Sequence, residues 1–279
     1  MRNLIPMLVL AMSWPAIVWS PDTHAGDKAP LPTVVNGHMY ELEEKWRACV
    51  KAKRYLDSVA SPYLEISKDN VKWRKLHDRN LKKATNDLNK AKRQYIEARK
   101  WWFYVEEDIR EYKTNDPVGY QELSTLIGGN GHVIYVFILR TDYVRDTGAV
   151  QDTNGATHWA FCKKHNQFYI PKWRKSAPND AFLVCLKKSA TNVGKIIAHE
   201  QGHIIDMLEH PLYYMDHQGE WNELDCQDSR NSTHPMVIPA KAAEDSFINR
   251  LNRIKYPYVR NTYNKQQWLA RLDSTLLAR

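Results

Sequence analysis

The chain has 279 residues, 43% of them hydrophobic, enough to pack one or two domains and too apolar for a disordered protein. Its net charge of +8 is uneven: residues 36–113 hold nineteen Lys and Arg against thirteen Asp and Glu, and residues 114–279 hold nineteen against seventeen. No nucleic-acid fold signature accompanies the excess, which excludes nucleic acid as the expected partner and leaves a solvated basic face or an anionic envelope surface.

In chain order, Met1 to Ala25 carries a lone basic Arg2, an apolar stretch from Leu4 to Trp19 and the small-residue site Thr23-His24-Ala25. This is the pattern of a secretory signal peptide (residues 1–25), so the protein is expected in the periplasm or secreted. The stretch is short for a membrane span and is interrupted by Pro6 and Pro15. In an oxidising compartment Cys49, Cys162, Cys185 and Cys226 allow up to two disulfide bonds, and Cys162 with Cys185 is the expected pair because the two flank a predicted β-meander.

Residues 26–115 read as a helical module. Leu81, Ala84, Leu88, Ala91, Tyr95, Ala98, Trp102, Val105, Ile109 and Tyr112 recur at alternating spacings of three and four, a coiled-coil seam. Met39, Leu42, Trp46, Cys49, Lys53 and Leu56 form a shorter one, and Ser61-Pro62 between them demands a bend, so the prediction is a long antiparallel helical hairpin. Its role is either packing or an arm for an envelope or protein partner. Trp101, Trp102, Phe103 and Tyr104 are too aromatic for one seam, and part of the cluster is expected to pack on the second module.

Asp116-Pro117 marks the boundary of that module, residues 116–279. Tyr120 to Ile127 is predicted helical, Gly128 to Gly131 a turn, His132 to Leu139 a buried strand, Thr157–Cys162 and Gln167–Ile170 a hairpin, and Ala181 to Lys187 another strand. Ser189 or Thr191 is the expected cap of the next helix. That helix contains His199-Glu200-Gln201-Gly202-His203. At about 100° per residue the two histidines lie about 40° and about 6 Å apart, so both imidazoles reach one tetrahedral metal, and Glu200 is left free to hold a water as general base. A chance match in a chain of this composition has a probability of about 2%. Asp206 shares the histidine face but lies too far along the axis to be a ligand, which suits it to hydrogen-bond a ligand histidine. Gly202 costs the helix about 1 kcal/mol, and a gap beside the metal face is the expected compensation.

A catalytic zinc needs a third protein ligand and an open position. His217, Glu220, Glu223, Asp225, His234, Glu244 and Asp245 are the downstream candidates, and Ile238 to Ile254 reads as a helix that could return a carboxylate to the site. The run His199-Glu200-Gln201-Gly202-His203-Ile204-Ile205-Asp206, followed by Ala243-Glu244-Asp245-Ser246-Phe247, resembles the gluzincin metallopeptidases of the anthrax lethal factor type. The resemblance covers residues 117–255. It implies an α+β fold with a zincin-like catalytic domain: a small mixed sheet, the HExxH helix and C-terminal helices, behind the hairpin. It further implies one Zn2+ held by His199, His203 and Glu244, with Glu220 and Glu223 as alternative third ligands, Glu200 as base, and a protein or peptide substrate paired along the strand Ala181–Lys187. The family's oxyanion tyrosine falls here at Val237, which leaves His234, Tyr213 and Tyr214 as candidates for that role. The expected function is exported zinc metallopeptidase. The alternative is a zincin-like interaction protein that no longer cleaves.

Overall fold

The computed structural model describes residues 33–61, 71–129, 131, 133–141, 155–159, 181–210 and 237–278. The signal-peptide residues, Cys162, Cys226, the segment 167–170 and every candidate between residues 211 and 236 lie outside them. Residues Leu31–Arg279 form one compact unit. It is mostly helical with one small sheet, the α+β class.

The elements run β1 (Val34–Asn36), α1 (Met39–Ala60), α2 (Val71–Asn115), α3 (Pro117–Ser124), β2 (Tyr135–Thr141), β3 (Gly155–Trp159), β4 (Ala181–Lys187), α4 (Val193–Glu209), α5 (Val237–Leu251) and α6 (Lys265–Leu277). Helices α1 and α2 pack as the expected hairpin: Cys49 meets Leu88 and Ala91, with Leu272 and Leu276 of α6 completing that cluster. Most of the predicted α2 seam is buried, namely Ala84, Leu88, Ala91, Ala98, Val105 and Tyr112. The aromatic cluster does reach the C-terminal segment: Phe103 packs against Tyr263 in a tilted arrangement with ring centres 5.6 Å apart, and the Arg99 guanidinium lies over the rings of Trp102 and Trp268 at 4.0 and 3.8 Å.

Helix α2 also belongs to the body, because Val105 and Tyr112 enter the same core as the sheet and α4. The sheet order is β1-β2-β4-β3, with β1, β2 and β4 parallel and β3 antiparallel to β4. Strand β4 is therefore interior, not the substrate edge expected of Ala181–Lys187. Its composition explains this: Phe182, Val184 and Leu186 face α4 while Ala181, Leu183 and Cys185 enter the opposite cluster, so both faces need cover, as interior parallel strands do. Among the described strands the edge beyond β4 is β3.

Cys162, the expected partner of Cys185, lies outside the described residues; Cys49 is a free thiol, and so is the fully buried Cys185. Its side chain packs with Val35, Phe137 and Leu139 between strands, away from solvent.

Candidate active site

Helix α4 starts without a side-chain cap. In place of the expected Ser189 or Thr191, Asn192 is the first turn's anchor, in the left-handed region at φ 54°, which Asn tolerates better than most residues. The tight turn before it is held by Arg140 at the end of β2, whose Nη1 donates to the carbonyls of Lys188 (2.9 Å) and Ala190 (3.3 Å). Arg140 is itself gripped by Asp108 of α2, through Nε–Oδ2 at 2.6 Å and Nη2–Oδ1 at 2.9 Å. Asp108 is 0% exposed and also pairs with Arg260. Along α4, the buried Gln201 accepts from the Tyr112 hydroxyl and donates to Glu122 Oε2 at 3.3 Å, fixing the helix to α2 and α3. Burial pushes the Tyr112 hydroxyl pKa up, so it stays a donor.

The remaining side of α4 carries Gly194, Ala198 and Gly202, one turn apart, and α5 lies against it. A Cβ at Gly202 would stand 2.5 Å from Ala240 Cα and 2.6 Å from the Pro239 carbonyl oxygen, and one at Gly194 would stand 2.8 Å from the Phe247 ring. The expected gap beside the metal face is thus filled: Gly202 is where the α5 backbone touches α4. Arg250 then ties α5 to Asp116, the cap of α3, at 2.7 Å. Because α5 covers the histidine side, His203 and Asp206 are buried rather than displayed on an open face.

This crossing brings Glu244 to His199, with Oε2 3.3 Å from Nδ1. The other carboxylate oxygen takes Lys195 at 2.8 Å and Lys241 at 3.0 Å. Burial opposes ionisation of Glu244, but the two ammonium groups outweigh it and hold its pKa below the usual carboxylate range. The imidazoles of His199 and His203 meet edge to face, their Nε2 atoms 3.2 Å apart. Two nitrogens about 2.05 Å from a tetrahedral zinc would be separated by about 3.3 Å, so this pair fits one edge of such a site. The third donor is not assembled: Glu244 sits at the Nδ1 end of His199, and among the described residues no group of three His, Cys, Asp or Glu is arranged to hold a metal ion. Asp206 bonds His210 Nδ1 at 3.1 Å and lies in the field of His203. Burial raises its pKa and the His210 contact opposes the rise.

Glu200 is 2% exposed and turns toward β3. A Cβ at Gly155 would come within 2.9 Å of Glu200 Oε1 and 2.4 Å of Ile196 Cγ2, so the first residue of the edge strand has room only for hydrogen beside the carboxylate. No protein-family model, curated protein or solved structure matches the chain. Of the sequence-predicted residues, His199, His203 and Glu244 are brought together, while Glu200 turns toward Gly155 of β3 and Asp206 toward His210. Glu220, Glu223, His217, Asp225, His234, Tyr213 and Tyr214 fall outside the described residues. Reasoning from spacing missed Arg140, Asp108, Tyr112 and Gln201. Arg140 had a signal, a cation ending an apolar strand, and Asp108 sat one residue from a seam position.

Proposed function

We propose that the chain is an exported zinc-dependent metallopeptidase, with the sheet, α4 and α5 forming a zincin-like catalytic domain of the gluzincin type. The observation that carries this reading is the pair of Nε2 atoms 3.2 Å apart on α4, with the buried Glu200 beside the first and Glu244 closing over it from α5. His199 and His203 would hold the ion, with Glu244 as the proposed third ligand. To serve as that ligand, Glu244 would have to exchange its ion pairs with Lys195 and Lys241 for the metal. When bound, zinc supplies a Lewis acid that polarises the scissile carbonyl and lowers the pKa of water toward about 7. Glu200 takes the proton of the attacking water and returns it to the leaving amine, a transfer worth about 10²–10⁴ in rate. A peptide added in extended form to the outer edge of β3 would run past Gly155 and hence past Glu200, with main-chain hydrogen bonds supplying affinity and little side-chain selectivity.

The test is metal analysis followed by casein hydrolysis with and without a chelator. Glu200→Gln is expected to keep about one zinc per chain and to lose activity by about 10²–10⁴. Turnover equal to the parent would refute the role of Glu200. His203→Ala should lose both zinc and activity. For the third ligand, Glu244→Gln should release zinc while Glu220→Gln and Glu223→Gln retain it.

A second reading, a non-cleaving interaction protein, is favoured by one observation: Glu244 is already neutralised by two lysines, and no three-donor group stands assembled among the described residues. On that reading the purified protein is metal-free and indifferent to chelator.

A further inference from the structure

The projecting start of α2 carries a second surface. From Val71 to Lys83 no side chain is buried, and the first buried one is Ala84. At about 100° per residue, Lys72, Lys75, Arg79, Lys82, Lys83 and Lys90 all fall within one arc about 100° wide, forming a row about 27 Å long. All six are exposed, and the only other residue in that arc between positions 72 and 90 is Asn86. Asp78 and Asp87 lie outside it. The seam toward α1, through Ala84 and Leu88, is about 160° round the helix, so the row faces away from the hairpin partner. On one flank of the row, about 20° beyond Lys83, stands Leu76 at 43% exposure, and Trp73 at 54% lies about 80° beyond that edge, on the side toward the seam.

We propose that this stripe docks the hairpin on the anionic headgroup surface of a phospholipid bilayer. A straight single-sign row on a rigid helix matches a flat negative surface, and each cation brought to such a surface contributes about fivefold to binding. Leu76 beside the row suits the boundary between headgroups and acyl chains, where an interfacial helix buries its apolar flank, and Trp73 extends the same side further round the helix. A soluble polyanion would use the cations and gain nothing from Leu76 or Trp73. The proposed contact is one of lying on the surface; among the described residues no helix is long and apolar enough to cross a membrane. It is independent of the peptidase reading, and would confine whatever chemistry the body performs to the membrane face.

The experiment is co-sedimentation of the full chain with vesicles of phosphatidylcholine alone or mixed with phosphatidylglycerol. Binding is expected only with the anionic lipid, falling away as salt approaches about 1 M, where the screening length is about 3 Å. Replacing Lys72, Lys75, Lys82 and Lys83 by Gln should weaken binding more than a hundredfold, at about fivefold per cation. A control with the same charge change elsewhere, Lys51, Arg253, Lys255 and Lys265 to Gln, should bind nearly as the parent does. Trp73→Ser with Leu76→Ser should weaken binding at constant charge. Circular dichroism confirms that each variant is folded. Equal binding to neutral vesicles, equal loss in the two charge variants, or binding that ignores the Trp73 and Leu76 changes while heparin competes fully would each overturn the proposal, the last in favour of a soluble polyanion.

Discussion

Replacing Gly202 by alanine tests the link between helix packing and the site. In an exposed helix the change would stabilise by about 1 kcal/mol, since glycine is the poorer helix former. Here the new methyl would stand 2.5 Å from Ala240 Cα, 2.6 Å from the Pro239 oxygen and 2.8 Å from Ala240 N, all backbone atoms that no rotamer change can remove. A comfortable carbon contact needs about 3.5 Å, so α5 must withdraw by about 1 Å. Overpacking of this kind costs about 1–3 kcal/mol, and with rigid backbone on the far side the upper end applies, leaving a net loss of about 2 kcal/mol after the propensity gain. For a chain of this size that lowers Tm by about 4–8 °C. Glu244 moves with α5, so its 3.3 Å contact to His199 opens and zinc retention should fall alongside stability. Differential scanning calorimetry and metal analysis read the two effects, with Gly129→Ala as control, because a Cβ there meets nothing within 4 Å. A Gly202→Ala protein as stable as the parent, or more so, would refute the close crossing.

On the proposed peptidase reading, Gly155→Ala should reduce hydrolysis more than it reduces stability, since the added methyl meets Glu200 Oε1 and Ile196 at the end of an edge strand; equal kcat/KM for variant and parent would contradict the assignment of Glu200 as the proposed base. Asp108→Ala leaves the buried Arg140 guanidinium without its carboxylate and should cost about 3–5 kcal/mol in urea unfolding, because an uncompensated buried charge is the outcome. A loss below about 1 kcal/mol would show that the pair does not hold the turn before α4. Burial pushes the Cys49 thiol up to about 11 and the Cys185 thiol up to about 12, so neither supplies appreciable thiolate at pH 8. Iodoacetamide at that pH should label neither in the native protein and both after denaturation; native labelling, or a Cys162–Cys185 peptide in a non-reducing digest, would be the opposing result.

Local periodicity carried the helices well. Most of the seam from Ala84 to Tyr112 is buried as its three-four spacing requires, and the predicted helix at Ile238–Ile254 forms as α5 within a few residues. Strand order was not legible, because an apolar run such as Ala181–Leu186 reports that both faces are covered but not which neighbours cover them. The cap failed for a related reason: Ser189 and Thr191 have the right chemistry, yet the turn is closed by Arg140 from 48 residues upstream, a contact no local pattern announces. Buried Glu107 and Asp108 have no local signal for their partners, because the C-terminal segment folds across them and supplies Tyr258, Asn261 and Arg260.

The site divides along the same line. His199, Glu200 and His203 were legible because a helix converts sequence spacing into distance by fixed geometry, and the two Nε2 atoms do lie within one coordination sphere of each other. Glu244 is 45 residues away, and what brings it in is the absence of side chains: Gly194, Ala198 and Gly202 open a groove into which α5 settles. Small residues have no chemical signature of their own, so a reading from chemistry alone treats Gly202 as a defect in the motif. Packing reverses that reading, since any larger residue there separates the helix bearing the histidines from the helix bearing the carboxylate. Gly202 should therefore resist substitution although it has no side chain of its own, because Pro239 and Ala240 occupy the space a Cβ would need.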